Sequence, residues 1–150
     1  MCIRDRNKVE FYICTNIGET TKPLVKVASG GEMSRLMLAI KSVFAKTDDV
    51  PVLVFDEIDT GISGKAAKAV GEKLKIISKV HQVICITHLA PIAARGDYNY
   101  YISKNVREEK TVTTIKQLNE EETINEIARI ATGEVTEISK QHAIELRKAS

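Results

Sequence analysis

A run of consecutive apolar residues that ends in two carboxylates limits the fold of this chain more than any other feature. The run reads Pro51-Val-Leu-Val-Phe-Asp-Glu57. An apolar run of this length without alternation is typical of a strand that is buried on both faces of a parallel sheet. In open α/β sheets, ligands bind beyond the carboxyl ends of the strands, which is where Asp56 and Glu57 would lie. The run therefore predicts an α/β fold with a site at this end of the strand.

A second apolar run, Gln82 to Thr87, predicts the neighbouring strand. Between the two runs, Ser63 is expected to cap a helix whose apolar residues recur with the helical period. These residues are Ala66, Ala67, Val70, Leu74 and Ile77. The span from Val52 to Thr87 suits a right-handed βαβ unit.

An amphipathic helix is predicted from Ser29 onward. Its apolar residues follow the three-and-four spacing of a half-buried helix: Met33, Leu36, Met37, Ile40, Val43 and Phe44. Ser29 and Glu32 have the spacing of a capping box. Gly30 and Gly31 follow the cap, where each costs roughly 1 kcal/mol relative to alanine. The pair predicts a helix start that lies close to a phosphate, although a capped helix after a flexible loop would also fit.

Asp56 and Glu57 are suited to two different tasks. Consecutive strand residues point to opposite sides, so one carboxylate could hold Mg²⁺ while the other holds a water. The alternative is an acidic turn that closes a core strand. His81, Cys85 and His88 do not indicate zinc, because Cys85 and His88 would lie on opposite faces of a strand.

The rest of the chain predicts four further elements and a half-buried strand near the start. The half-buried strand covers Lys8 to Thr15. The others are a hairpin of Asp97 to Lys104 with Thr111 to Leu118, a helix from Glu122 to Ala131 that ends at Gly133, and a helix from Thr136 to Arg147. Tyr98, Tyr100 and Tyr101 could stack on bases or pack at a sheet edge. Residues 1–6 fit no pattern and are set apart as a non-native or unplaced leader.

Composition excludes several classes of protein. At 150 residues, 43% hydrophobic and 28% charged, the chain has the make-up of one soluble globular domain. A formal net charge of +2 neither requires nor excludes a nucleic-acid partner. Three separated cysteines without a C-x-x-C pair suggest no disulfide framework and suit a reducing cytosol. Because no apolar stretch has the length of a membrane span or a signal peptide, we expect a cytoplasmic protein without a membrane partner.

The motifs taken together resemble the second half of an ABC-type ATPase. Four stretches occur in the order of that family's motifs. Ser29–Glu32 matches the signature motif, Val52–Glu57 matches Walker B with its glutamate, Asp59 matches the D-loop, and Thr87–His88 matches the switch histidine. Residues 28–41, 55–64 and 87–94 further resemble the SMC-like ATPases that act in bacterial DNA repair. The resemblance extends from about Val9 to the end of the chain.

This resemblance implies roles for individual residues. Asp56 would hold Mg²⁺ through water, and Glu57 would polarise the attacking water. His88 would sense the γ-phosphate, and Asp59 would signal across a dimer. From its position at the end of a strand, a neutral His88 imidazole could donate a hydrogen bond to a γ-phosphate oxygen, although a lone histidine at such a place is more often structural. The implied cofactor-binding residues are Ser29, Gly30, Gly31, Glu32 and Asp59. Of these, the first three would bind the γ-phosphate of ATP held by the other subunit.

The implied fold is the C-terminal lobe of an ABC/SMC-type P-loop ATPase head. It would cover residues 7–150, with a mainly parallel sheet flanked by helices, a small β-hairpin and C-terminal helices. The printed sequence contains no G-x-x-x-x-G-K-[ST] motif and no sustained heptads, so the Walker A lobe and the coiled coil are not part of it. The cofactors would be ATP and Mg²⁺. The partners would be a second copy, through ATP-sandwiched heads, and DNA at the nucleoid, in double-strand break repair and recombination.

Two other functions compete with this one. The nucleotide-binding domain of a transporter would usually carry glutamine in place of Glu32 and proline in place of Ile58. A non-enzymatic binding module, or an inactive fragment acting as one, gains support because one ATPase lobe is missing.

Overall fold

The computed structural model describes residues 9–14, 18, 20–26, 29–45, 47, 49–107 and 110–149. The leader set apart at residues 1–6 lies outside them. In chain order, the elements are β1 (Tyr12–Ile13), β2 (Lys22–Pro23), a 3-10 turn (Leu24–Lys26), α1 (Gly30–Phe44), β3 (Val52–Phe55), α2 (Gly64–Ile77), β4 (Gln82–Cys85), α3 (Ala90–Ala93), β5 (Tyr100–Arg107), β6 (Lys110–Gln117), α4 (Glu120–Thr132) and α5 (Glu137–Lys148).

A parallel strand pair positions the functional residues. β3 and β4 pair in parallel, from Val52 opposite Gln82 to Phe55 opposite Cys85, and α2 connects them. The predicted βαβ unit is therefore confirmed. Its core unites side chains from α1, β3, α2, α3 and the loop after β3, namely Leu38, Leu53, Phe55, Ile58, Leu74, Ile77 and Ile92. Burying a side chain of this size contributes about 1.5 to 3 kcal/mol.

The prediction that the first strand is buried on both faces is wrong for the described residues. Leu53 and Phe55 face the core, but Val54 on the opposite face is 63% exposed. The neighbouring strand repeats this asymmetry, since Ile84 is also exposed. The cause is that α1 and α2 contribute core side chains to one face of the pair only.

The C-terminal half has its own small core. β5 and β6 form an antiparallel hairpin, with Tyr100 opposite Gln117 at its open end. α3, α4 and α5 pack through small side chains and one isoleucine, Ala90, Ala93, Ala94, Ile127, Ala128 and Ala143. α4 ends at Gly133, whose φ of 84° is in the left-handed region that favours glycine at a helix C-terminus.

These observations confirm the predicted α/β class, the hairpin and the two C-terminal helices. The predicted N-terminal strand is only partly observed, because β1 contains Tyr12–Ile13 and both Val9 and Phe11 are exposed. The longest described helix is α1 with 15 residues, and none of the described helices is long and apolar enough to cross a bilayer.

Candidate functional site

The first turn of α1 packs against the loop that follows β3. Ser29 Oγ accepts a hydrogen bond from the Glu32 amide at 3.4 Å, and Glu32 Oε2 accepts one from the Ser29 amide at 3.5 Å. The predicted capping box is therefore confirmed. One turn later, Ser34 Oγ donates to the carbonyl oxygen of Asp56 at 2.8 Å. α1 is thus fixed at its N-terminus to the end of the strand.

Both glycines of this turn lie close to other atoms of the same chain. A Cβ atom at Gly30 would lie 2.2 Å from Oε2 of Glu57. At Gly31 it would lie 2.8 Å from the carbonyl oxygen of Thr60 and 2.9 Å from that of Glu57. The sequence suggested a ligand as the reason for two glycines. The close approach of the loop after β3 is a second reason, and it applies without any ligand.

Arg35 holds the same loop and was not singled out from the sequence. Its Nη1 donates to the carbonyl oxygens of Ile58 at 3.2 Å and Thr60 at 2.8 Å. The sequence pattern could have indicated this contact, because Gly31, Ser34 and Arg35 follow the i, i+3, i+4 spacing of one helix face. That face is polar and closely packed, and it lies against the loop rather than against the apolar core.

Glu57 has a backbone conformation that few residues adopt. Its φ is 56°, and it is the non-glycine residue with a positive φ in the part of the chain that the structure describes. Its amide donates to Asp56 Oδ1 at 2.9 Å, and its carbonyl accepts from the Thr60 amide at 3.0 Å. Such a conformation costs on the order of 1 to 3 kcal/mol and persists only where surrounding contacts impose it.

This conformation also corrects the expected geometry of the two carboxylates. β3 ends at Phe55, so Asp56 and Glu57 belong to a bend and not to the strand. Their separation comes from the turn of the backbone at Glu57 and not from strand alternation. Both side chains are exposed, so both carboxylates are accessible to a ligand.

Asp59 is buried, with 2% of its surface exposed, and its carboxylate faces the end of β4. Oδ2 accepts hydrogen bonds from Thr87 Oγ1 at 2.6 Å and from the His88 amide at 2.8 Å. The ring Nδ1 of His88 lies 3.2 Å from the same oxygen. A direct contact between this carboxylate and a second subunit is incompatible with its burial. Any effect of Asp59 on a dimer therefore has to pass through the residues that it holds.

The other titratable groups near the sheet have structural roles. Burial, with the nearby carboxylates of Asp59 and Asp56, raises the pKa of Cys85 from 9.0 to about 12, so the thiol is not a nucleophile near neutral pH. His81 is buried, and its Nδ1 and Nε2 lie 2.7 and 3.0 Å from the carbonyl oxygens of Val50 and Ala45. Throughout the described ranges, no three His, Cys, Asp or Glu side chains are grouped as metal ligands.

The structure thus gathers the predicted residues at one edge of the sheet in two groups. The start of α1 meets Glu57, while Asp59 meets His88. Asp56 belongs to the first group, since its carbonyl oxygen accepts from the Ser34 hydroxyl and its carboxylate accepts from the Glu57 amide.

Comparison with known proteins identifies relatives across nearly the whole chain. No protein-family model matches it. The DNA repair protein RecN of Bacillus subtilis is 50% identical over 141 residues, which is 93% of this chain and 24% of that protein. RecN of Halalkalibacterium halodurans is 50% identical over 139 residues, 92% of this chain and 25% of that protein. RecN of Treponema pallidum is 46% identical over 142 residues, 94% of this chain and 25% of that protein.

Over this region, the chain belongs to the RecN family. It spans about a quarter of the length of these RecN relatives. Because the match to the first relative leaves out only about a tenth of the chain, all site residues between Ser29 and His88 lie within it. A solved structure from work on ATP-driven dimerization and DNA-stimulated activation of SMC ATPases has a TM-score of 0.48 and 28% identity, covering 71% of this chain and 63% of that chain.

Proposed function

We propose that residues 7–150 form the C-terminal lobe of an SMC-like ATPase head of the RecN type. In the complete protein, two such heads would bind and hydrolyse ATP at their interface during DNA double-strand break repair and recombination. The observation that supports this most is the 50% identity with a DNA repair protein across a region that includes the whole candidate site. DNA is the proposed partner, reached in the cytoplasm at the nucleoid.

Glu57 is the proposed group that polarises the attacking water. Its carboxylate is exposed at the carboxyl end of a parallel strand, where ligands of α/β folds bind. Its strained backbone is imposed by contacts from Asp56 and Thr60, which is the type of preorganisation found at catalytic positions. A carboxylate that takes a proton from water in the transition state contributes about 10²- to 10⁴-fold to the rate.

Asp56 is the proposed Mg²⁺-binding residue. Mg²⁺ usually keeps several waters and binds through one or two carboxylates together with substrate phosphates. A single exposed carboxylate with one oxygen already engaged by the Glu57 amide fits this type of binding through water. The described residues contain no larger ligand group, which agrees with an ion held mainly by nucleotide and water. When bound, the ion would neutralise charge on the transferred phosphoryl group.

The start of α1 is the proposed contact to the γ-phosphate of ATP held by the other subunit. The helix is long enough to have an effective dipole, and Ser29 and Gly30 are exposed at its positive end. Glu32 completes the cap that orients this turn. On the same edge of the sheet, the exposed ring of His88 would meet the γ-phosphate of the subunit's own ATP. Asp59 would act on the dimer only through His88.

The proposal is tested by adding the missing lobe. We expect the 150-residue chain alone to show no ATP turnover, because it has no phosphate-binding loop. A RecN chain that carries both lobes should hydrolyse ATP, and Glu57→Gln should slow hydrolysis by about 10²- to 10⁴-fold without loss of ATP binding. Glu121→Gln is the matched control, since it makes the same chemical change on the exposed side of α4. Equal effects of the two variants would overturn the assignment.

A further inference from the structure

We propose that Asp59 is a positioning residue, which holds the His88 ring with Nδ1 protonated and Nε2 directed to the ligand. The catalytic meaning of this arrangement depends on the proposed ATPase function, but the arrangement itself does not. This role lies within one subunit, and any signal from Asp59 across a dimer would pass through His88.

One small hydrogen-bond network holds three successive residues, Thr87, His88 and Leu89. Asp59 Oδ2 accepts from the Thr87 hydroxyl at 2.6 Å and from the His88 amide at 2.8 Å. Thr87 Oγ1 in turn accepts from the Leu89 amide at 3.1 Å. Asp59 is buried, so bulk water screens these interactions weakly. The position of His88 Cα is therefore set by a residue of the loop after β3.

The same oxygen also acts on the imidazole. Nδ1 of His88 is 3.2 Å from Asp59 Oδ2. A neutral imidazole carries one N–H, either on Nδ1 or on Nε2. With the proton on Nε2, the Nδ1 lone pair would face the carboxylate and be repelled. With the proton on Nδ1, the contact is attractive, so the Asp59 charge favours that tautomer.

This tautomer changes what His88 offers to a ligand. The His88 side chain is 72% exposed, so Nε2 is the nitrogen that a ligand can reach. With the proton on Nδ1, the Nε2 of a neutral ring only accepts hydrogen bonds, and phosphate oxygens are acceptors too. His88 can therefore donate to a γ-phosphate only as the imidazolium, with Asp59 on one side and the phosphate on the other. The expected neutral donor is replaced by a charged one.

The experiment measures the tautomer directly. Long-range ¹H–¹⁵N spectra of the histidine rings, recorded on the ¹⁵N-labelled 150-residue chain near pH 8, distinguish the two protonated nitrogens. We expect His88 to be protonated at Nδ1 in the wild-type chain. Asp59→Asn keeps the size of the side chain but removes its charge, and it should weaken the preference for Nδ1. His142, exposed on α5, serves as the internal reference and should not change.

Two further variants separate charge from structure. Asp97→Asn removes an exposed carboxylate that pairs with Lys75, and it should leave the His88 spectrum unchanged. Thr87→Val removes a hydrogen bond of the network but retains the Asp59 charge, so the Nδ1 preference should persist. A wild-type ring protonated at Nε2 would overturn the proposal without any variant, and so would an unchanged tautomer in a folded Asp59→Asn chain.

The outcome is independent of the proposed ATPase function, because no nucleotide is present. If the His88 ring behaves as expected but a RecN chain with both lobes hydrolyses no ATP, the proposed function fails and the positioning role stands. If hydrolysis is found but the His88 ring is protonated at Nε2, only the proposed positioning role of Asp59 is refuted.

Discussion

The carboxylate of Glu57 lies against Gly30, so closely that a Cβ atom at position 30 would be 2.2 Å from Oε2. The adjacent Gly31 is enclosed instead by backbone, with carbonyl oxygens of Thr60 and Glu57 at 2.8 and 2.9 Å from its Cβ position. The two neighbouring glycines thus differ in what would obstruct a larger side chain. At Gly30 the obstacle is the end of a flexible side chain, and at Gly31 it is the main chain of the loop.

This difference predicts unequal effects on stability for two similar substitutions. Gly30→Ala should leave the free energy of unfolding nearly unchanged, because Glu57 can rotate away and alanine gains about 1 kcal/mol of helix propensity. Gly31→Ala should lower it by about 1 to 3 kcal/mol, since the loop backbone has to move. Urea unfolding of the two variants gives the comparison, and each serves as the control for the other. Equal stability would mean that the loop does not pack on α1 as described.

Arg35 provides a second test of the same contact. Arg35→Lys retains the charge but cannot donate in the same geometry to the carbonyl oxygens of Ile58 and Thr60. We expect the free energy of unfolding to fall by about 1 kcal/mol and the amides of residues 57–61 to exchange faster with deuterium. Arg129→Lys, where the guanidinium pairs with Glu126 on the surface of α4, is the matched control. It should leave exchange in this loop unchanged.

The thiol of Cys85 should be almost unreactive at neutral pH. Its pKa is raised to about 12, so the thiolate fraction at pH 8 is roughly a thousandfold smaller than for an ordinary cysteine at 9.0. Because the thiolate is the reactive form, alkylation by iodoacetamide should remain slow until the pH approaches 12. Asp59→Asn removes one of the charges that raise the pKa and should speed the reaction. Peptide mapping by mass spectrometry reads out each cysteine separately, with the exposed Cys14 as reference. Rapid labelling of Cys85 at pH 8 would contradict the described burial.

Local patterns in the sequence predicted most of the elements around the site. The apolar run before Asp56, the helical spacing after Ser29 and the capping box each depend on residues within a few positions, and all three are observed. Gly133 ends a helix because glycine adopts the left-handed conformation without a steric cost, which is again a local effect. The order of the motifs then led to the RecN family, which the relatives confirm.

Contacts between distant segments could not be predicted in the same way. The burial of Asp59 depends on where Thr87 lies, 28 residues later, and no spacing rule gives that distance. The exposed face of Val54 depends on which elements cover the sheet, whereas the apolar run indicates only that the strand can be buried. The positive φ of Glu57 arises from the bend as a whole, since glutamate has no intrinsic preference for it.

Glu57 of one subunit and the partner's Ser29 are proposed to act on opposite sides of a shared ATP, and this is tested in a RecN chain with both lobes. Glu57→Gln should slow hydrolysis while ATP remains bound, so heads should accumulate as dimers. Ser29→Arg places a long cation at the helix start and should block closure, leaving monomeric heads that still bind nucleotide through the other lobe.

Sedimentation velocity with ATP distinguishes the two variants directly, although both hydrolyse slowly. The matched control for Ser29→Arg is Ser63→Arg, at another helix start where the serine side chain makes no capping hydrogen bond. We predict a dimer for Glu57→Gln and for the control, and a monomer for Ser29→Arg. A monomeric Glu57→Gln or a dimeric Ser29→Arg would refute the assignment of Glu57 and Ser29 to a shared ATP.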